Sequence, residues 1–258
     1  MIDTHNHLLP GLDDGAQNLE ESLRMCRIAF DDGIRCVVAT PHAFDCRFFN
    51  SPATIRQLIE DLNAEIKSQG IELNIVPGME VRVVPELAEL LTDRKVLTMN
   101  NGSYVLLEFH PSQIPVGFRN LVLQLMKKDY RVVLAHPEKN AAIQSDPDYV
   151  FNLLREFDTW QFLVQVSADS ILGQSGTRAR RVASLLLKHN LAHLIASDAH
   201  SSGARPPRLS SAVEAAARLV GMDRARQMVE DVPNALLEGN DFPPAWEPLN
   251  PRRWWRFF

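Results

Sequence analysis

Residues 131–137 read RVVLAHP, an apolar run that begins at an arginine and stops at a histidine. Runs of the same kind recur over 1–5, 34–40 (IRCVVAT), 73–81 (LNIVPGMEV), 103–109 (SYVLLEF), 160–168 (WQFLVQVSA) and 192–200 (AHLIASDAH). They are nearly continuous in apolar residues rather than alternating, the pattern of parallel strands covered on both faces. The segments between them carry apolar residues at three- and four-residue spacing. Over 18–32 these are Leu19, Leu23, Cys26 and Phe30, with Asn18 placed to cap, Glu21 at the capping-box position and Gly33 at the end. Ser51-Pro52 opens a second helix with Ile55, Leu58, Ile59, Leu62 and Ile66 on its inner face and Gly70 as its stop. Further helices are predicted over 85–92, 116–128, 147–157, 177–189, 209–220, 222–230 and 234–238. Seven strands alternating with helices make an α/β protein, and an open doubly wound sheet and a barrel both satisfy that pattern.

Composition narrows the functional classes. The chain has 258 residues, 45% hydrophobic and 23% charged, enough to bury a core without disulfides. Lys plus Arg is 27 against 32 Asp plus Glu, a net charge of −5, so no nucleic-acid partner is expected. No run approaches the roughly 18 apolar residues of a membrane span, and MIDTHNHLLPG does not read as a signal peptide. The three cysteines, Cys26, Cys36 and Cys46, fit no zinc spacing, and none begins a Cys-x5-Arg loop of thiol phosphatases. A reducing cytoplasm is the expected setting. Composition changes at residue 241, so one domain is expected over 1–240 with a C-terminal tail or strap over 241–258. The tail ends in Arg252-Arg253-Trp254-Trp255-Arg256-Phe257-Phe258, cations and aromatics suited to weak peripheral contact with anionic lipid or a partner.

Chemistry collects where the apolar runs stop. The first ends in His5-Asn6-His7, the second in Pro41-His42, the third at Glu80, the fourth at Glu108, the fifth at His136 and the seventh in Asp198-Ala199-His200. In a parallel α/β protein the carboxyl ends of the strands form one rim, and sites are built there. His5 and His7 are two apart and face one side of a strand; Asp198 and His200 repeat the spacing. Asp14, in Leu12-Asp13-Asp14-Gly15, joins the set, although spacing alone does not separate it from Asp13. His110, His189 and His193 read as surface or hydrogen-bonded histidines. Five histidines and four carboxylates exceed the ligands of one ion, so two or three ions are expected. Mixed imidazole and carboxylate ligands without thiolate suit Mn, Fe or Zn better than Mg or Ca.

In this order and spacing, MIDTHNHLLPGLDDG, ATPH, PGMEV, LLEF, AHPE and IASDAH resemble the PHP (polymerase and histidinol phosphatase) superfamily. The resemblance is greatest to the bacterial manganese-dependent tyrosine-protein phosphatases of capsule and exopolysaccharide clusters, and it covers about residues 1–238. It implies a distorted seven-stranded (β/α) TIM-like barrel of the PHP type with three divalent ions, Mn first and Fe, Zn, Mg or Co as alternatives. His5, His7, Glu80 and Asp198 would hold the first ion, Glu80, Glu108 and His136 the second, and Asp14, His42 and His200 the third. The reaction implied is attack on phosphotyrosine by a metal-bridged hydroxide, with Arg205, Lys139 and His42 as the catalytic side chains. Lys139 stands where the family usually has arginine, keeping the charge but losing the two-pronged fork. The implied partner is a phosphotyrosine protein, a tyrosine autokinase controlling polysaccharide synthesis. The alternative is another PHP-type phosphoesterase, acting on histidinol phosphate or on nucleotides or oligonucleotides.

Overall fold

A computed structural model describes residues 1–45, 47–157, 160–240 and 246–250. Its strands are β1 (Ile2–Asn6), β2 (Cys36–Ala39), β3 (His42–Asp45), β4 (Phe48–Phe49), β5 (Asn74–Pro77), β6 (Glu80–Arg82), β7 (Tyr104–Glu108), β8 (Arg131–Ala135), β9 (Phe162–Ser167) and β10 (Leu194–Ala196). The strand expected over 34–40 is β2, with β3 following just past its end, and the one expected over 73–81 is split into β5 and β6. Pro41, which has no N–H for a ladder, separates β2 from β3. Gly78 separates β5 from β6, and a Cβ there would sit 2.8 Å from Val38 Cγ1, so only glycine lets the backbone pass β2 so closely.

The breaks divide the wall into two sheets. One has the order β1-β2-β5 and the other β10-β9-β8-β7-β6-β3-β4; every pairing is parallel except the short β3–β4 hairpin. β1 and β10 meet through a parallel bridge between Asn6 and Ala199, where His7 N–H donates to Ala199 O and Asp198 N–H to His5 O, both at 2.9 Å. The seven runs thus follow one another round a distorted, interrupted barrel. Side chains hold the seam where the ladder is sparse. The Asp3 carboxylate accepts from Ser197 N–H at 2.9 Å, Ser197 Oγ–H at 2.5 Å and Asn6 Nδ2–H at 2.9 Å.

Continuous apolar runs are required because each strand is buried twice. Val105, Leu107, Val132, Leu134, Val164 and Val166 face the large outer core beneath the helices. Their neighbours Leu106, Val133, Ala135 and Leu163 fill a smaller inner core with Val38 and Leu194. The two-residue period then puts Glu108 above Leu106 and Gln165 above Leu163, at the top of the interior.

The expected helices form, several of them shorter than predicted. Leu19–Asp31 is capped by Asn18, whose side chain accepts from Glu21 N–H at 3.0 Å, and Pro52–Ser68 by Ser51. Glu21 does not complete a capping box. Its carboxylate takes Arg24 and the backbone N–H of Ser202 instead. The 85–92 segment is Leu87–Thr92 and 147–157 is Asp148–Leu154, while Ala141–Ser145 and Ala168–Leu172 are short helices not anticipated. Part of the expected tail lies against the barrel. Trp246 packs on the core with the Arg224 guanidinium 4.5 Å from its ring, and Leu249 N–H donates to His189 O at 2.7 Å. The Arg/Trp/Phe stretch expected to contact lipid lies outside the described residues.

Candidate metal centre

Register places the first ligand candidates side by side. His42 of β3 is opposite Glu80 of β6, and Arg82 of β6 is opposite Glu108 of β7. Accordingly His42 Nδ1 lies 3.0 Å from Glu80 Oε2, and an Arg82 terminal nitrogen 2.9 Å from Glu108 Oε2. His5 and His7 enter from the end of β1. Asp198, at φ +51, and His136, at φ +29, turn inward from the ends of β10 and β8. Such backbone angles cost free energy in a residue with a side chain, and they re-aim these two side chains into the site.

Outer partners fix three of the imidazoles. His5 Nδ1 is 2.9 Å from Gln165 Oε1, while the Gln165 amide N–H donates to Thr4 Oγ1 at 2.8 Å. His7 Nδ1 is 2.7 Å from Asp13 Oδ2, and His200 Nδ1 is 3.0 Å from Asp198 O. An acceptor at Nδ1 holds the proton there and leaves the Nε2 lone pair facing the centre, as in metal-binding histidines. The alternative between Asp13 and Asp14 is thereby given a geometric basis. Asp13 is buried and committed to His7, to Gly15 N–H at 2.9 Å and to His42 N–H at 2.9 Å. Asp14 faces outward, its Oδ1 3.4 Å from both His42 Nε2 and His200 Nε2. A Cβ at Gly15 would fall 2.0 Å from His7 O, so this turn packs directly on the His7 backbone.

Glu80 occupies the middle. Its Oε1 is 2.8 Å from His136 Nε2, and its Oε2 faces His5 Nε2 at 3.3 Å and His7 Nε2 at 3.4 Å as well as His42. Glu80 Oε2 is thus buried among three imidazoles. His5 Nε2 and His7 Nε2 face each other at 3.1 Å. Two imidazole nitrogens this close to each other and to a buried carboxylate form a donor cluster of the kind that holds a cation. All nine candidates fall into four groups with donor atoms within 4.8 Å of one another: His7, Asp14, His42, His200; His5, His7, Glu80; His5, His136, Asp198; and His42, Glu80, Glu108. The grouping differs in detail from the expected one, since His7 also reaches the Asp14 set and His136 joins His5 and Asp198.

The protonation pattern agrees with a site built for positive charge. Burial opposes a charge on His7, but Asp13 outweighs it and raises the pKa to about 10. Against the same burial, Glu80 raises His42 to about 11 and His136 to about 9. Burial would raise Glu80 and Asp198 too, yet His5 and His42 hold Glu80, and Lys139 and His5 hold Asp198, well below the carboxylate range. Without ions the site therefore gathers protons on imidazoles that must be neutral to act as ligands. Loading with Mn(II) is expected to release about one to three protons. Apparent affinity should rise with pH from 6 towards 9, because protons compete below these pKa values. Calorimetric titration in buffers of different ionisation enthalpy measures the release; a proton-neutral, pH-independent affinity would contradict the assignment.

Seven of the nine, Asp14, His42, Glu80, Glu108, His136, Asp198 and His200, line a cleft of about 250 Å³ to which Arg47, Arg82, Lys139 and Arg205 bring positive charge. Both expected phosphate-binding cations rest on Asp198. An Arg205 terminal nitrogen is 2.7 Å from its Oδ2, and Lys139 Nζ also lies 2.7 Å away while bonding Asp169 at 2.9 Å. The Lys139 charge is thus partly committed within the protein. Sequence reading missed Arg82, Gln165 and Asp169. Arg82 was detectable as the residue two beyond Glu80 on the same strand face.

The set-aside histidines lie outside all four groups. His110 is exposed and accepts from Ser112, while His193 is buried, accepts from Val164 N–H and is pushed down to about 3 by burial. Burial also pushes the Cys26 thiol up to about 12 and Cys36 to about 11, so neither supplies a thiolate nucleophile; Cys46 lies outside the described residues. A folded triple Cys→Ser variant is expected to keep most of its aryl phosphate turnover, and loss of turnover in the folded fraction would point to thiol chemistry.

Residues 1–238 match the family described as capsular polysaccharide synthesis, CpsB/CapC. The chain is 31% identical over 258 residues to tyrosine-protein phosphatase YwqE of Bacillus subtilis, covering 100% of both chains. It is also similar to a chain from the crystal structures of YwqE from B. subtilis and CpsB from Streptococcus pneumoniae, metal-dependent tyrosine phosphatases. That likeness has a TM-score of 0.89 at 31% identity, covering 96% of this chain and 99% of that one. Histidinol phosphate phosphatase from Lactococcus lactis shares the fold at a TM-score of 0.54 and 14% identity, covering 90% of this chain and 93% of that one.

Proposed function

This chain belongs to the CpsB/CapC capsular polysaccharide synthesis family, and on that premise we propose that it is a metal-dependent protein-tyrosine phosphatase. The observation that carries the reading is Glu80: a buried carboxylate faced by four imidazoles, at the floor of a cleft edged by cations. His5, His7, Asp14, His42, Glu80, Glu108, His136, Asp198 and His200 hold the ions, three in number with Mn first. When bound, these ions supply Lewis acidity to the phosphoryl oxygens and a water of lowered pKa.

The chain's own residues do the rest. Gln165, Asp13 and the Asp198 carbonyl keep His5, His7 and His200 in the tautomer that donates from Nε2. Arg205, Lys139 and His42 line the cleft; the two cations bind phosphoryl oxygens and His42 stands beside the reacting phosphate. The bond from phosphorus to the tyrosyl oxygen breaks as the bond from the water oxygen forms. One water proton finishes on tyrosine and the other on the released hydrogen phosphate. The phenolate, with a parent pKa of about 10, leaves without a strong general acid. The physiological substrate is a tyrosine autokinase of capsule or exopolysaccharide synthesis, which places the enzyme in the cytoplasm. Among the described residues no helix is long and apolar enough to cross a membrane.

The test pairs metal removal with a substrate panel. Chelator-stripped protein should be inactive and regain turnover with Mn(II). The restored enzyme should prefer a phosphotyrosine peptide to histidinol phosphate and to an oligonucleotide by at least about tenfold in kcat/KM. Full activity after stripping, or a preference for either other substrate, would overturn the reading.

A further inference from the structure

A second depression adjoins the catalytic cleft on the outer side of β6 and β7. Its lining includes Val83, Val84 and Pro85 after β6 and Pro115, Val116 and Leu121 after β7, with no charged residue among the described ones that line it. Neighbouring residues of the chain divide between the two. Arg82 lines the cleft and Val83 the groove; Phe109 lines the cleft, and its ring meets Phe118 of the groove edge-on at 4.6 Å. Val83 N–H donates to Glu108 O at 3.1 Å, which pins this segment to a residue of the metal centre. Val116 stands at the groove fully in water, 105% exposed, so its apolar surface there serves no packing purpose within the chain.

Size and charge select the occupant. The groove holds about 190 Å³, more than the roughly 150 Å³ that accepts a benzene ring but less than the roughly 300 Å³ at which small-molecule sites begin. It therefore suits one large apolar side chain rather than a separate ligand. The neighbouring cleft is edged by four cations, the charge a phosphate needs. We infer that this groove is a specificity subsite, binding an apolar side chain of the phosphopeptide two or three residues from the phosphotyrosine. An extended peptide advances about 3.3 Å per residue, so two or three residues carry it about 7–10 Å from the phosphotyrosine, past Arg82 and Phe109. Asn120 and Gln124 on the groove's far side offer amide groups to the peptide backbone. The inference rests on the phosphatase reading and adds a substrate preference to it.

The experiment uses the full chain loaded with Mn(II) and phosphotyrosine peptides of Gly and Ser carrying a single Leu at each position from −4 to +4. kcat/KM should rise about tenfold for Leu two or three residues to one side of the phosphotyrosine. Val116→Asp should abolish that gain and Val116→Leu should keep it. Because Val116 is solvated, neither change should move Tm. Turnover is normalised to p-nitrophenyl phosphate, which is too small to reach the groove. Equal turnover at all Leu positions, or a preference that survives Val116→Asp, overturns the subsite while leaving the phosphatase reading intact. No turnover of any phosphopeptide, with p-nitrophenyl phosphate still hydrolysed, overturns both.

Discussion

Glu80→Gln should reduce kcat/KM on aryl phosphates by about a thousandfold or more, at any Mn(II) concentration that keeps the protein soluble. The change conserves shape and removes only charge. The two oxygens of Glu80 together approach His5, His7, His42 and His136, between 2.8 and 3.4 Å. It also belongs to two of the four donor groups, so its loss affects two neighbouring positions at once. Outer partners of metal ligands typically cost about 10- to 100-fold when removed, and a shared direct ligand costs more. A Gln amide would further turn an N–H donor or a neutral oxygen towards imidazoles that are held by a carboxylate. Steady-state kinetics together with metal content after dialysis check this. A variant that retains a tenth of wild-type turnover with full metal content would remove Glu80 from the centre of the site.

Arg205→Ala should lower kcat/KM by about 100- to 1,000-fold, the magnitude seen when one charge-stabilising donor is lost from a transition state. Arg205 combines two contacts on Asp198, an ion pair at 2.7 Å to Oδ2 and a hydrogen bond at 2.8 Å to the carbonyl. Its own carbonyl accepts from His200 N–H at 3.0 Å, so the loop carrying His200 folds around it. Its side chain is 37% exposed and lines the cleft, leaving guanidinium donors able to face phosphate. Arg205→Lys should recover only part of the loss, since an ammonium does not reproduce the planar fork. Lys139→Ala should cost less than Arg205→Ala, because Asp169 and Asp198 already occupy its ammonium. Unchanged KM and kcat in Arg205→Ala would place the phosphate elsewhere in the cleft.

The run-end residues were legible because strand burial is a local property of sequence. His5, His7, His42, Glu80, Glu108, His136, Asp198 and His200 each stand at or just past the end of an apolar run, and a parallel α/β wall gathers such ends on one rim. Their partners were less visible. Gln165 lies in the middle of WQFLVQVSA and reads as an ordinary strand residue, and its importance comes from His5, 160 residues away in the chain. Asp169 sits in a short helix after the sixth run, the one run without a titratable end, and matters through Lys139, 30 residues earlier.

Order, spacing and hydrophobic continuity thus established that the strands are buried on both faces and which side chains collect at their ends. These are consequences of strand geometry, in which alternate residues face opposite sides and apolar runs must be covered. Tertiary contacts decided matters that spacing leaves equal. Asp13 and Asp14 are adjacent and chemically alike; the buried bond from His42 N–H, 29 residues away, commits Asp13 to orienting His7 and leaves Asp14 facing His42 and His200. The wall's division at Pro41 and Gly78, and its joining at Asn6 and Ala199, likewise depend on which backbones approach one another. A residue's separation along the chain says which face it can take, but the direction of a turn's side chains is set by the hydrogen bonds that distant segments bring to it.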